Sequence, residues 1–188
     1  MVKDFYIKNM VCDRCIKVLR DGLENHNIGL LHIELGRLRL DIESDDEIEK
    51  LKTLLESNGF SLIGSTEEKL TEQVKVELIK ALQELPLELN EKLSVHLAEA
   101  LGQEYSKISK VFSFTEGITI EKYFIKLKIE KVKELIQGKE LNFTEMGQLL
   151  GYSHINHLSS QFKNETGMSL TAYKSQQKNF RNTLDKIM

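Results

Sequence analysis

The chain has 188 residues, of which 40% are apolar and 29% are charged, a composition typical of one or two globular domains and not of disordered or fibrous proteins. Its net charge of −3 means that any nucleic-acid surface must be a local patch. Two cysteines exclude a disulfide scaffold, and the first residues lack the apolar core of a signal peptide. No apolar run approaches the roughly 18 residues of a membrane span. We therefore expect a cytoplasmic protein without a membrane partner.

The first 64 residues alternate between strand-like and helix-like patterns. Residues 5–7 favour a strand, and residues 15–23 carry apolar side chains at helical spacing. Residues 31–35 and 38–42 alternate apolar with polar, which predicts two antiparallel strands joined at Gly36. A capping box of Ser44 and Glu47 then begins a second helix, and Phe60 begins a last strand. The β-α-β-β-α-β order predicts a ferredoxin-like sandwich.

The strand patterns stop after Gly64. Ser65 and Glu68 form a capping box at the start of a helix, and Pro86, the only proline, lies just beyond its end. All later patterns are those of short helices. We therefore predict an α+β chain with a ferredoxin-like domain at 1–64 and an all-α domain at 65–188.

An internal repeat dominates the second domain. Phe112, Gly117 and Tyr123 recur 50 residues later, and the two glycine-containing segments upstream of them also correspond. The recurring residues are Phe162, Gly167 and Tyr173. Each copy contains a short helix, a turn and a second helix. This is a helix-turn-helix arrangement, in which the second helix can enter a DNA major groove.

The predicted second helices leave polar and basic side chains facing outward. Asparagine and glutamine can pair with adenine, whereas lysines suit phosphates. In the first unit the candidates are Ser106, Lys107 and Lys110; in the second they are Ser153, Asn156, His157, Ser160, Gln161 and Lys163. Residues 105–188 hold 13 basic against 8 acidic residues, so the half with both helices is positive although the chain is not.

Residues 66–180 resemble the DNA-binding domain of the AraC/XylS family of bacterial transcription regulators. The second unit carries that family's signature in residues 151–163, followed by Gly167 and Tyr173. Ser160 replaces a frequent arginine and Leu170 a usual proline. The first unit has Glu104 and Ser113 where a serine and a basic residue are usual. The resemblance implies a double helix-turn-helix domain that binds double-stranded DNA.

Both cysteines lie in the segment Met10-Val11-Cys12-Asp13-Arg14-Cys15, between the first strand and the first helix. The amino terminus of a helix lowers the pKa of nearby thiols, which favours metal binding or dithiol redox chemistry. Two thiolates suit Cu(I), whereas Zn(II) or Cd(II) needs further ligands. The spacing alone leaves three interpretations: a metal site, a redox pair, or two surface cysteines without function.

Residues 3–64 resemble the heavy-metal-associated domain of copper chaperones and metal-transporting ATPases. The segment from Asn9 to Cys15 matches its Gly-Met-x-Cys-x-x-Cys motif except at Asn9, and Phe60 occupies an aromatic position near the metal loop. The resemblance implies that Cys12 and Cys15 bind a soft metal ion. Cu(I) is the preferred ion, and Zn(II), Cd(II) or Hg(II) are alternatives.

The sequence thus predicts a DNA-binding transcription regulator that responds to a soft metal ion, with RNA polymerase or a second copy as further partners. Two alternatives stay open: a metal chaperone or buffer with a helical docking domain, and a dithiol redox-sensing regulator. No phosphate loop, carboxylate pair or nucleophile–base arrangement is present in the sequence, so we expect no enzymatic activity.

Overall fold

The computed structural model describes residues 1–87, 92–176, 181–184 and 187. The chain forms two compact units, Met1–Val76 and Glu77–Met188. The first contains a small sheet and the second is helical, so the α+β class predicted from the sequence is correct. The predicted second domain, 65–188, includes residues 88–91, 177–180, 185, 186 and 188, which lie outside the described residues.

The first unit follows the predicted order of elements. These are β1 (Val2–Lys8), α1 (Asp13–Asn25), β2 (Gly29–Glu34), β3 (Arg37–Asp41), α2 (Asp45–Ser57) and β4 (Ser61–Leu62). The strands pair antiparallel in the order β2-β3-β1-β4. This order places β1, which leads into the cysteine segment, in the middle of the sheet.

A β-bulge interrupts the alternation of β2. The register shifts between Leu30, which pairs with Leu40, and His32, which pairs with Arg39. The extra residue is Leu31, whose side chain is 54% exposed. The alternating pattern read from residues 31–35 therefore fails at Leu31, because a bulge displaces one residue from the two-residue repeat.

The capping boxes predicted for the next two helices form to different degrees. In α2, Glu47 Oε2 accepts from the N–H of Glu43 at 2.9 Å, one residue earlier than a complete box with Ser44 requires. In α3 (Thr66–Gln83), Ser65 Oγ accepts from the N–H of Glu68 at 3.1 Å and donates to Glu68 Oε2 at 3.1 Å.

The first part of α3 contacts β1 and the turn between β2 and β3. Lys69 Nζ lies 3.7 Å from the centre of the Tyr6 ring. Gly36 has a φ of +75°, and a Cβ added to it would lie 3.1 Å from Val76 Cγ2, so both its conformation and this close approach favour glycine. The predicted domain boundary at 64–65 lies just before α3, whereas the two compact units divide within this helix.

The secondary structure described in the second unit is helical. The helices are α4 (Leu93–Leu101), α5 (Tyr105–Glu116), α6 (Ile120–Gly138), α7 (Phe143–Leu149), α8 (Ile155–Thr166) and α9 (Leu170–Ser175). The long helix predicted for residues 119–137 corresponds to α6, which buries Phe124, Leu127, Val132 and Ile136.

The internal repeat is visible in the geometry. Phe112 and Tyr123 form an edge-to-face pair with ring centres 5.5 Å apart, and their counterparts Phe162 and Tyr173 do the same at 5.4 Å. In each copy the second helix ends at a left-handed glycine, Gly117 at φ +70° and Gly167 at +73°. The sequence repeat therefore marks two copies of one packing arrangement.

The next helix of each copy also begins in the same way. Thr119 Oγ1 accepts from the N–H of Lys122 at 3.2 Å, and Ser169 Oγ accepts from the N–H of Ala172 at 3.1 Å. Ser169 is thus the N-cap residue of α9. Leu170, the first residue of this helix, occupies the position where the AraC/XylS resemblance would place proline.

Candidate nucleic-acid interface and cysteine loop

Two helix pairs form the predicted helix-turn-helix units. In the first, α4 ends at Gly102, whose φ is +61°, and α5 buries Ile108 and Phe112. In the second, α7 is followed by Gly151 at φ +74°, and α8 buries Leu158 and Phe162. The buried pair in each second helix fixes which of its side chains face solvent.

The start of α7 is stabilised by a capping box that the sequence reading missed. Asn142 Oδ1 accepts from the N–H groups of Thr144 and Glu145 at 2.9 and 3.0 Å, and Glu145 Oε2 accepts from the N–H of Asn142 at 2.7 Å. The box makes a helix of seven residues possible here.

Gly147 lies where α7 approaches α8. A Cβ added to it would lie 3.7 Å from Leu158 Cδ2, an ordinary contact distance. The contact between the two helices at Gly147 therefore leaves room for alanine.

Eight of the nine predicted DNA-contacting residues are exposed. Three lie on α5, one lies in the turn before α8, and four lie on α8. They are Ser106, Lys107, Lys110, Ser153, Asn156, His157, Ser160 and Lys163. The structure thus leaves these side chains available for base edges or phosphates, and their DNA contacts stay a prediction.

Gln161 differs from the other candidates because it is half-buried and already bonded. The hydroxyl of Tyr152 donates to Gln161 Oε1 at 2.7 Å. A bidentate pair with adenine needs both the oxygen and the amide nitrogen of a glutamine. In this arrangement the oxygen is engaged, so the predicted adenine pairing of Gln161 would require that bond to break.

Tyr152 also contacts a lysine of α6. Lys128 Nζ lies 4.9 Å from the centres of both the Tyr152 and Phe124 rings. Burial lowers the pKa of Lys128 to about 8 and raises the pKa of Tyr152 to about 12. Lys128, Tyr152 and Gln161 therefore link α6 to the turn and the second helix of the second unit.

We predict that replacing Lys128 with methionine stabilises the protein at pH 7. Because the pKa of Lys128 is lower in the folded protein than in the unfolded chain, its positive charge reduces the free energy of unfolding below about pH 8. This reduction disappears as pH rises toward 10.5, where the unfolded chain also loses the proton. Denaturant unfolding should show a gain of roughly 1–3 kcal/mol at pH 7 that shrinks as pH rises through 8. A gain in the free energy of unfolding that does not change with pH would contradict the lowered pKa of Lys128.

The two cysteines lie together at the start of α1. Cys12 is its N-cap residue, and the Sγ atoms of Cys12 and Cys15 are 3.3 Å apart. Both side chains are half-buried, whereas Met10 is fully buried and therefore belongs to the core. The structure brings together the two thiols that the sequence singles out.

The pKa of Cys15 moves opposite to the sequence expectation. Burial raises it, and a hydrogen bond involving Cys12 acts in the same direction. Backbone hydrogen bonds from Val11 and Cys12 lower it, as the helix terminus predicts, but burial has the larger effect. Metal binding at Cys15 would therefore have to displace a proton from a thiol that the protein itself does not ionise.

Asn9 occupies the one position that departs from the heavy-metal-associated motif. Its φ is +71°, in the left-handed region that glycine adopts readily and asparagine tolerates. Its side chain donates to the carbonyl of Gly59 at 3.2 Å, and its backbone N–H donates to Glu72 Oε1 at 3.0 Å. Asparagine thus adopts a backbone conformation that glycine also favours, and its side chain adds a hydrogen bond to Gly59.

The two thiols fit a soft metal ion in part. Sulfurs bound at about 2.3 Å in a tetrahedral site lie about 3.8 Å apart, only slightly farther than in this structure. Within the described residues, no group of three or more His, Cys, Asp or Glu side chains is arranged to hold a metal. The donor set is therefore two thiols, which suits Cu(I) better than a four-ligand Zn(II) site.

Sequence reasoning missed Tyr152, Lys128 and Glu72 as supporting residues. Lys128 follows Phe124 by four residues on a helix, a spacing that predicts their contact. Glu72 has no such signal, because Asn9 is 63 residues away in the chain.

A sequence model described as a helix-turn-helix domain matches residues 97–176. No curated protein matches the chain. None of the helices in the described part of the chain has the length and apolar character that a bilayer crossing requires.

Two solved structures share the fold. One is the C-terminal domain of AraT, a response regulator from Geobacillus stearothermophilus, with 20% identity and a TM-score of 0.52 over 63% of this chain and 95% of that one. The other is a transcriptional regulator of the AraC-type DNA-binding domain-containing proteins from Chromobacterium violaceum, with 18% identity and a TM-score of 0.51 over 60% and 96%. Residues 97–176 are therefore a helix-turn-helix domain with the AraC-type fold.

Proposed function

We propose that the chain is a DNA-binding transcription regulator whose affinity for DNA responds to a soft metal ion held by Cys12 and Cys15. DNA binding is supported chiefly by the pair of helix-turn-helix units, whose second helices α5 and α8 have exposed polar and basic side chains. The two solved structures described above come from proteins described as regulators. The AraC/XylS resemblance of residues 66–180 points to the same function.

The two units suit complementary contacts with DNA. Lys107 and Lys110 on α5 are suited to phosphates, whereas Asn156 and His157 in the first turn of α8 are suited to base edges. Recognition helices contact bases chiefly through their first residues. We infer that the second unit contributes most of the sequence preference and the first unit most of the phosphate binding.

The metal response is supported by the paired thiols and by the heavy-metal-associated resemblance of residues 3–64. The β-α-β-β-α-β order with strand order β2-β3-β1-β4 agrees with the ferredoxin-like sandwich that this resemblance implies. A bound Cu(I) would supply a fixed link between the two sulfurs. The residues of the loop would then adopt a single arrangement, which changes the population able to bind DNA.

Dithiol redox sensing is a second candidate, favoured by the 3.3 Å between the two sulfurs. A disulfide would require them to approach to about 2.05 Å and would release two protons and two electrons to an oxidant. Oxidising the metal-free protein with a disulfide reagent tests this candidate. A change in DNA affinity without metal would favour the redox function over the metal response.

The DNA-binding function is tested by salt dependence. The affinity of the wild-type chain for a duplex selected from a random library should fall steeply as salt rises, because phosphate contacts release counterions. Replacing Lys107 and Lys110 with alanine should reduce the slope of log affinity against log salt by about 1.8.

The matched control replaces Lys50 and Lys52 with alanine. These exposed lysines of α2 pair with Asp46 and Glu49 in the first unit, so the same loss of charge should leave the slope unchanged. Wild-type protein without any salt-dependent DNA binding would contradict the proposal and favour a metal chaperone or buffer with a docking domain.

A further inference from the structure

The carboxylate of Glu72 on α3 is buried next to the cysteine loop. Glu72 is only 4% exposed, and its Oε1 accepts from the N–H of Asn9 at 3.0 Å. Lys75 Nζ lies 4.0 Å from Glu72 Oε2. A buried carboxylate is costly unless nearby donors and cations compensate it, so its position against Asn9 is a specific feature of this packing.

We propose that Glu72 is a positioning residue for the Cys12–Cys15 loop, and that metal binding changes the docking of α3 through it. This inference rests on the proposed metal response and names the residue that transmits it.

The segment between Asn9, which Glu72 binds, and Cys12 is short and buried. Asn9 is held by Glu72 at its backbone and by Gly59 at its side chain. Only Met10 and Val11 separate Asn9 from Cys12, and their exposures are 0% and 8%. Two packed side chains cannot absorb a displacement as a solvated loop does, so a movement at Cys12 is transmitted to Asn9.

Metal binding would move the sulfur atoms of both cysteines. Two sulfurs that each lie about 2.3 Å from one ion would be about 3.8 Å apart in a tetrahedral arrangement, against 3.3 Å here. The resulting shift at Asn9 would lengthen or realign its hydrogen bond to Glu72. Because α3 is one helix from Thr66 to Gln83 and crosses the division between the two units, a change in its docking reaches the first residues of the second unit.

The test measures DNA affinity with and without metal in the full chain. Reduced protein is assayed anaerobically with the selected duplex, and Cu(I) is supplied from a competing chelator. The wild type should show an affinity ratio of about 5-fold or more between the two states, the range typical of coupled sites. Glu72→Ala should bring this ratio to within about 2-fold of unity and still bind one Cu(I) per chain.

Two variants serve as controls. Glu67→Ala removes the same charge from an exposed position on the same helix and should keep the wild-type ratio. Glu72→Gln keeps an oxygen that can accept from Asn9 and should keep most of the ratio. Equal losses in Glu72→Gln and Glu72→Ala would overturn the inference, as would a wild-type ratio in Glu72→Ala.

The outcomes separate this inference from the proposed function. A wild-type chain without any metal effect on DNA affinity rejects the metal response itself, whereas an unaffected Glu72→Ala rejects only the role of Glu72. If Glu72→Ala does not fold, amide exchange in the wild type decides. The Asn9 amide should change its exchange rate several-fold on Cu(I) binding and the Leu40 amide should not; an unchanged Asn9 rate overturns the inference.

Discussion

Replacing Asn156 and His157 together with alanine should lower the affinity of the protein for its selected duplex by about 30- to 1000-fold. A good base contact contributes about 1–3 kcal/mol, and two contacts of unequal quality contribute about 2–4 kcal/mol. Both residues are exposed in the first turn of α8, so the fold should be unaffected. Titration of a labelled duplex measures the loss.

The expected loss is specific for sequence. Binding to unrelated duplex should change by less than about 3-fold, since phosphate contacts remain. Gln137→Ala is the matched control, because it removes an exposed side-chain amide from α6, outside both helix-turn-helix units. If the double variant binds the selected duplex as tightly as the wild type, α8 does not read the bases.

Replacing Cys12 and Cys15 together with serine should weaken Cu(I) binding by about four orders of magnitude. Structural Zn(II) sites with four ligands bind their metal with about 10–16 kcal/mol, or about 3 kcal/mol per ligand, and we expect a similar contribution from each thiolate to Cu(I). Competition against a chelator of known affinity measures the loss, and the ultraviolet absorption of metal-bound thiolates should disappear with it.

Serine is close in size to cysteine, so the double variant should fold normally. Its metal-free DNA affinity should equal that of the wild type, and the metal effect on DNA affinity should be absent. Retention of one tightly bound Cu(I) per chain would place the metal site elsewhere. Loss of metal binding with a persisting metal effect on DNA would reject the link between the loop and DNA binding.

The two double variants address separate parts of the chain. The α8 variant should keep Cu(I) binding, and the cysteine variant should keep DNA binding, because each site is built within its own compact unit. Only the response of one to the other requires both units. Measuring both ligands on both variants therefore distinguishes loss of a site from loss of coupling.

The order of elements and the repeat could be predicted from the sequence because both depend on local patterns. Strand alternation, capping residues and the spacing of Phe112, Gly117 and Tyr123 report backbone periods and turn geometry that act over a few residues. The edge-to-face pairs of Phe112 with Tyr123 and of Phe162 with Tyr173 confirm that the spacing reflects packing. The α+β class and most of the exposed polar side chains of α5 and α8 followed from the same patterns.

Contacts between distant residues depended on the tertiary structure. The bulge that exposes Leu31 depends on the register of β2 against β3, which the sequence of β2 alone does not encode. The engagement of Gln161 by Tyr152 depends on how the turn before α8 packs against it. These contacts determine which predicted side chains are free to bind.

The properties of the cysteine loop divide in the same way. The sequence by itself determined that Cys12 and Cys15 lie at a helix start, because strand and helix patterns flank them. Only the tertiary structure decided that burial raises the pKa of Cys15 and that Glu72, 63 residues beyond Asn9, holds the loop. The reason is physical: helix termini are local, whereas desolvation and buried hydrogen bonds arise from residues that only folding brings together.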